Sequence, residues 1–373
     1  MKKRLSSFVI AAALALPWVG CASDSSDPAA QDLQARNVSD RHATFDAENR
    51  LDVKIPAGAH HVRVWFPIPR EKDQPQAIRN LVIESGGVPT RITEDALGNR
   101  CVYVDLIDPK VDAFTLVTRF QVTRTEQRHV VDASATRPLN AAERAYFARW
   151  LEPTTNEVMD DQIRQLSHSI VGKETNPVRA ARAIYDWVLD NVEYWVKDPA
   201  NKKASPVGSA TYCLSSRTGN CTDFHSLWTS LARAAGIPTR MVYGSFFKAS
   251  LDGVDKDQSY HCWPEFWAPG IGWIPNDVAV ADIFNGPIPM TEKNQPLVTL
   301  TTADGYSGPD PAKVDWYFGN LDDRRVAWSM GRDLTMEPRQ DAGPVNANPK
   351  GYVEVDGKVH TDWTRKLTHR EVH

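Results

Sequence analysis

The chain has 373 residues, with 43 Lys and Arg against 47 Asp and Glu and a formal net charge of −4. This mildly acidic balance excludes a nucleic-acid binder that works through a basic surface. With 42% hydrophobic residues and no internal repeats, the chain is globular and has ample material for two cores.

Residues 1–21 read as a signal peptide. Lys2, Lys3 and Arg4 precede an apolar run, residues 8–16, that is too short to span a bilayer as a stable helix. Gly20-Cys21 resembles a lipobox, which implies cleavage and lipidation of Cys21. Trp18 is unusual for such a site, so ordinary cleavage nearby is the alternative. Ala22 and Ser23 carry no acidic signal, which by the same resemblance implies the outer membrane. Removal of the first 20 residues takes away three positive charges, from −4 to −7. Residues 22–40 are small, polar and aperiodic, and read as a flexible linker reaching about 25 Å.

Residues 41–136 read as a β-sandwich. Val62, Val64 and Phe66 alternate with Arg63 and Trp65, and Val102, Val104 and Leu106 with Cys101, Tyr103 and Asp105. Phe114, Leu116, Phe120 and Val122 share a face of a further strand. The module either positions a partner or substrate, or simply packs against the second half of the chain. Arg137-Pro138-Leu139-Asn140 marks the start of a second domain, 137–295. Its first helical stretches are 143–151, a stripe of Met159, Ile163, Leu166 and Ile170, and a helix opened by Asn176-Pro177. That third helix buries Val178, Ala181, Ile184, Tyr185, Val188 and Val192, and Tyr194 and Trp195 follow it. Either aromatic offers a donor to an oxyanion, although packing is the commoner role of such residues.

Residues 219–240 read G-N-C-T-D-F-H-S-L-W-T-S-L-A-R-A-A-G-I-P-T-R. Phe224, Leu227, Trp228, Leu231 and Ala235 recur at helical spacing, Asn220 is an N-cap, and Gly236 and Pro238 supply the stop. Cys221 therefore sits in the first turn, where free N–H groups and the helix dipole favour a thiolate and an oxyanion. Downstream, 259–277 reads S-Y-H-C-W-P-E-F-W-A-P-G-I-G-W-I-P-N-D, an alternating strand, a Pro-Gly turn and a second strand. This hairpin brings Asp277 back toward His261. A thiolate needs a base, and the base needs a group that orients it.

The pattern G-x-C, R-A-x-G-I-P-x-R, H-x-W-x-E and G-W-x-x-x-D resembles the transglutaminase-like family, whose core shares the papain-type cysteine-protease fold. The resemblance is close over 176–282 and extends in layout over 40–340. It implies an α+β fold, a β-sandwich followed by a papain-like catalytic core, with Cys221 as nucleophile, His261 as general base and acid, and Asp277 as orienting carboxylate. The usual D-P is here Asp277-Val278, which leaves Asp282 as a rival for that last role. The signature G-N-C-T-D-F-H resembles a bacterial envelope lipoprotein subgroup.

His225 shares the Cys221 helix face and reads as a neighbouring donor. A metal site of Cys221, His225 and His261 lacks the short paired spacings of zinc centres, so no metal or cofactor is expected. Asp223 reads as a first-turn acid. Cys101, Cys213 and Cys262 read as buried unpaired thiols, although an envelope location permits a Cys213–Cys262 bridge. Residues 296–373 read as a C-terminal extension packing on the core. Within it Trp316, Tyr317, Phe318 and Trp328 cluster around 320–325, either lining a cleft or covering a sheet edge, and 338–350 runs as an irregular surface segment. The expected reaction is acyl transfer through a Cys221 thioester on amide or peptide bonds. Water as acceptor makes a peptidase or amidase, an amine makes a cross-linking enzyme, and a retired enzyme fold acting as an envelope scaffold is the non-catalytic alternative. The expected partners are a protein or peptide substrate and, through the anchor, a membrane.

Overall fold

The computed structural model describes residues 38–254, 260–302 and 305–373. The expected signal peptide, Cys21 and most of the expected linker lie outside the described residues. The first described strand is β1 (Val38–Lys54), in which every second residue from Ala43 to Val53 is buried. There follow β2 (His61–Pro67), β3 (Gln76–Glu84), β4 (Thr90–Glu94), β5 (Arg100–Ile107) and β6 (Ala113–Gln127). Strand therefore begins at Val38, inside the stretch expected to be linker.

Three helices come next: α1 (Ala141–Tyr146), α2 (Asp161–Val171) and α3 (Pro177–Asn191). The two-residue strand β7 (Glu193–Tyr194) leads through α4 (Ala210–Ser216) to β8 (Thr218–Gly219). Then α5 (Cys221–Ala234) enters the sheet strands β9 (Thr239–Phe246), β10 (Tyr260–Ala268) and β11 (Gly272–Pro275). Three short helices follow, α6 (Val278–Phe284), α7 (Gln295–Thr301) and α8 (Pro311–Trp316). The chain ends with β12 (Arg325–Met330), β13 (Tyr352–Val355), β14 (Lys358–Val359) and β15 (Trp363–Val372).

The sandwich is built from two antiparallel sheets of order β15-β1-β6-β3 and β14-β13-β2-β5-β4. Between them Leu51, Val53, Val62, Val64, Val102, Val104 and Leu116 form the core. A separate four-stranded sheet, β11-β10-β9-β12, carries the helical half.

Residues 296–373 are therefore not one extension packing on the core. β12 closes the edge of the four-stranded sheet beside β9, whereas β13, β14 and β15 return to the sandwich. Without β15, β1 would present a bare edge of 17 residues to solvent. The segment expected to run along the surface, 338–350, covers the outer face of β2 and β5. There Trp65 and Tyr103 are buried against Leu334, Met336 and Val345, and Trp65 Nε1 donates to Pro338 O at 3.0 Å. The expected aromatic cluster also divides. Tyr317 and Phe318 join the core of the helical half, while Trp328 packs with Phe120, Phe247 and Val326 between the sandwich and the four-stranded sheet.

Candidate active site

The sheet face of β9 and β10 is covered by α5, the helix that begins at Cys221. Asn220 Oδ1 accepts from Thr222 N and Asp223 N, and Asp223 Oδ2 accepts from Asn220 N at 2.9 Å, which completes a capping box. Asp223 also accepts from the backbone of Ser205 (3.0 Å) and Ser209 (2.8 Å) and from the Ser205 hydroxyl. It fastens the 205–209 loop over the helix start. Gly219 is needed there, because a Cβ would stand 2.3 Å from Asp223 Cβ. Sequence periodicity marks one buried stripe, but residues 221–233 are buried all round, with α2, α3, α4, α6 and the sheet on every side.

Cys221 and His261 are 4% exposed and Asp277 is fully buried. The β10–β11 hairpin pairs Glu265 with Pro275, and Asn276 N donates to Pro264 O at 3.0 Å. Asp277 is thereby carried back along β10, and its Oδ2 lies 2.7 Å from His261 Nε2. With Nε2 committed to Asp277, Nδ1 is the nitrogen left for the hydrogen bond between His261 and Cys221. Asp282 stands elsewhere, accepting from Tyr194 N and pairing with Lys197 Nζ, each at 2.9 Å. Of the two carboxylates, Asp277 is the one beside His261.

The electrostatics derive from these contacts. A hydrogen bond with Cys262 holds the Cys221 thiol well below its ordinary range against the cost of burial, and His261 adds charge and a second hydrogen bond on the same side. Burial works against an imidazolium at His261, but Asp277 and Cys221 outweigh it and raise the group to about 9. Asp277 is also buried at a cost, yet His261 and Arg325 keep it well below the usual carboxylate range. By contrast, burial pushes the Cys101, Cys213 and Cys262 thiols up. All four described cysteines are free, so Cys213 and Cys262 are not bridged.

One participant was not legible in the sequence. Arg325, at the start of β12 and fully buried, donates to Asp277 Oδ2 and, through Nε, to Asp322 Oδ2 at 3.0 Å. Its guanidinium lies 4.1 Å from the Phe246 ring centroid. The sequence offered only its place in the 320–325 segment. Tyr194, one of the two aromatics weighed from the sequence as a donor to an oxyanion, lies beside Cys221: its hydroxyl accepts from Cys221 N at 3.1 Å.

Tyr194, Trp195, Phe246, Tyr260, His261, Leu297 and Lys350 line a cleft of about 380 Å³ that opens onto the imidazole. A larger groove of about 490 Å³ crosses the sandwich around Asp46, Arg119 and His369, away from this chemistry. Glu265, the acid of the H-x-W-x-E pattern, is structural, pairing with Arg240 and accepting from Gln74 Nε2. Among the described residues, no group of three or more His, Cys, Asp or Glu is arranged to hold a metal ion.

The transglutaminase-like superfamily profile matches residues 164–278, the span from α2 to the first residue of α6. An uncharacterized protein of Haemophilus influenzae is 24% identical over 338 residues, covering 84% of this chain and 86% of its own. Among solved structures, a Cytophaga hutchinsonii protein proposed to be a cysteine protease shares the fold, with a TM-score of 0.54 at 17% identity. It covers 90% of this chain and 100% of its own. The periplasmic domain of TgpA from Pseudomonas aeruginosa aligns at a TM-score of 0.33 and 14% identity, over 68% of this chain and 90% of that domain.

Proposed function

From a domain of the transglutaminase-like superfamily at residues 164–278, we propose a cysteine-dependent enzyme that cleaves amide or peptide bonds through a thioester on Cys221. The observation that carries this reading is the buried network in which Cys221 at a helix start meets His261, itself held 2.7 Å from Asp277. The Cys221 thiolate attacks the carbonyl carbon, and charge develops on the carbonyl oxygen beside the Cys221 N–H and the Tyr194 hydroxyl. His261, protonated, gives its Nδ1 proton to the departing amine as the C–N bond breaks. It then takes a proton from water, which attacks the thioester and releases the acid. Asp277 keeps the ring oriented and stabilises its charge, and Arg325 keeps Asp277 ionised.

The acyl-enzyme is common to hydrolysis and to transfer onto an amine. Transfer needs a site that excludes bulk water and binds the amine. Lys350 lines the cleft and, among the described residues, no carboxylate does, so the cleft offers an ammonium group no opposite charge. Hydrolysis is therefore the proposed outcome. A labelled primary amine supplied with envelope peptides tests it: free acid should be released faster than label is incorporated. Cys221-dependent incorporation exceeding release would make the protein an acyl transferase.

The site is proposed to act in the cell envelope, on protein or peptide substrates, with Cys21 lipidated as the anchor. Partition into detergent that is lost in Cys21→Ser supports the anchor. An unlipidated mature N-terminus at or beyond Ala22 contradicts it.

A further inference from the structure

Lys248, two residues beyond β9, is 2% exposed and has no task in the acyl-transfer scheme. Its Nζ donates to Thr299 O at 2.8 Å and lies 4.9 Å from the Phe246 ring centroid. Those two partners belong to different walls of the cleft at His261. Phe246 ends β9, and Thr299 lies in α7 between Leu297 and Leu300. Phe246 also packs on the imidazole, 5.7 Å between centroids. One buried amine therefore spans both walls.

α7 needs such support. It has seven residues, short of the roughly 12–15 at which a helix becomes marginally stable alone, and Asn294 gives it no side-chain cap. It is held from outside instead. Val298 enters the core, Asn294 Nδ2 donates to Lys197 O at 2.9 Å, and Lys248 satisfies a carbonyl of the last turn, where the helix itself supplies no donor. Burial, with Arg325 nearby, lowers the Lys248 ammonium to about 7, and the neutral amine keeps N–H groups for the same bond.

We propose that α7 is the specificity wall of the site: Leu297 and Leu300 receive an apolar side chain of the peptide next to the scissile carbonyl, and Lys248 is the positioning residue that sets the distance of this wall from Phe246. The proposal rests on the reading of Cys221 as nucleophile. The walls decide the class of side chain. Leu297 and Leu300 are three residues apart on one helix face, and Val196 and Phe246 line the same cleft. Both leucines are only partly buried, so an apolar group seated on them removes further apolar surface from water. A carboxylate or amide in that place would lose water and gain no hydrogen bond from these four side chains. His261 and Tyr194, whose hydroxyl lies beside the Cys221 N–H, mark where the carbonyl sits. A carbonyl there puts its neighbouring side chain between α7 and Phe246. At about 380 Å³ the cleft is at the small end of ligand sites, a size for a short extended segment.

The test uses the full chain and dipeptidyl chloromethyl ketones, which alkylate a nucleophilic thiol after binding beside it. Each rate is taken relative to that of iodoacetamide on the same variant, which cancels changes in the thiol itself, and thermal melting verifies folding. A Leu-Leu probe should label Cys221 about tenfold faster or more than a Gly-Gly or an Asp-Asp probe, as expected for burying a side chain of that size. Leu300→Asp should erase most of this preference. Lys248→Met, which keeps the bulk and removes the N–H donor, should raise the half-saturating concentration of the Leu-Leu probe several-fold, far more than it lowers the limiting rate. Equal rates for the Leu-Leu and Gly-Gly probes, with iodoacetamide still labelling Cys221, overturn the proposal and leave the nucleophile reading standing. A folded Lys248→Met with wild-type saturation also overturns it. Should that variant not fold, wild-type selectivity in Leu300→Asp overturns it equally. A Cys221 inert to iodoacetamide refutes the nucleophile reading itself, and the proposal with it.

Discussion

At the scale of single residues, the site depends on two opposite charges kept in one buried place. Cys221 is held below its ordinary range and His261 is raised to about 9. Amide cleavage needs the thiolate and the protonated imidazole together, so kcat/KM should stay level through neutral pH. The alkaline limb should fall near 9, where His261 gives up its proton. A limb centred near the ordinary imidazole value of about 6.5 would mean that Asp277 and Cys221 do not raise the imidazole. Cys221, His261 and Asp277 were legible because a helix cap, an alternating strand and a hairpin each have a local signature. Arg325 was not. A buried arginine looks like any charged residue of a polar segment until the carboxylates it faces, Asp277 and Asp322, are placed around it. Removing one member of such a buried pair typically costs about 3–5 kcal/mol, so Arg325 belongs to the stability of the site as much as to its chemistry.

The element that places Cys221 is α5, and its start is fixed from outside the helix. Asn220, Gly236 and the apolar spacing marked both of its ends in the sequence. What periodicity could not give is burial on the polar face. Thr229, Ser230 and Arg233 are buried there, the last by its pairing with Glu157 at 2.8 Å. Nor could it show that Asp223 binds a loop as well as the helix dipole. Gly219→Ala is expected to push Asp223 away from Asn220, Ser205 and Ser209, since the added Cβ falls 2.3 Å from Asp223 Cβ. A lost N-cap costs about 1 kcal/mol, and the loop contacts add to that. Thermal denaturation of Gly219→Ala should show a clear drop in Tm together with slower alkylation of Cys221. An unchanged Tm would mean that the loop and the cap are not under the constraint described.

At the scale of the whole molecule, the first and last described strands, β1 and β15, meet in one sandwich. Alternation located β2, β5 and β6 in the sequence, but β15 concealed itself. Its inward positions are Arg365, Leu367 and His369, so two of three are ionisable and the apolar period is broken. Arg365 is accommodated by Asn49 at 2.7 Å, and His369 stacks on Phe247 at 4.4 Å between centroids. That stack continues into Phe45 and Trp328 and ties the sandwich to the strand that carries Arg325. Removing 352–373 should therefore expose the β1 edge, drive aggregation and lower Cys221 reactivity, as read by size-exclusion chromatography and alkylation. A soluble truncated protein with full reactivity would make the C-terminal strands a dispensable addition.

Whether Cys221 carries the acyl group of an amide substrate is tested most directly by incubating the full chain with envelope peptides, quenching in acid, and mapping adducts by peptide mass spectrometry. A hydroxylamine-labile acyl adduct should appear on the peptide containing Cys221. It should be absent in Cys221→Ala, whose turnover of the same peptides should be abolished. Turnover that survives Cys221→Ala, with no adduct on the wild-type thiol, would contradict the thioester mechanism.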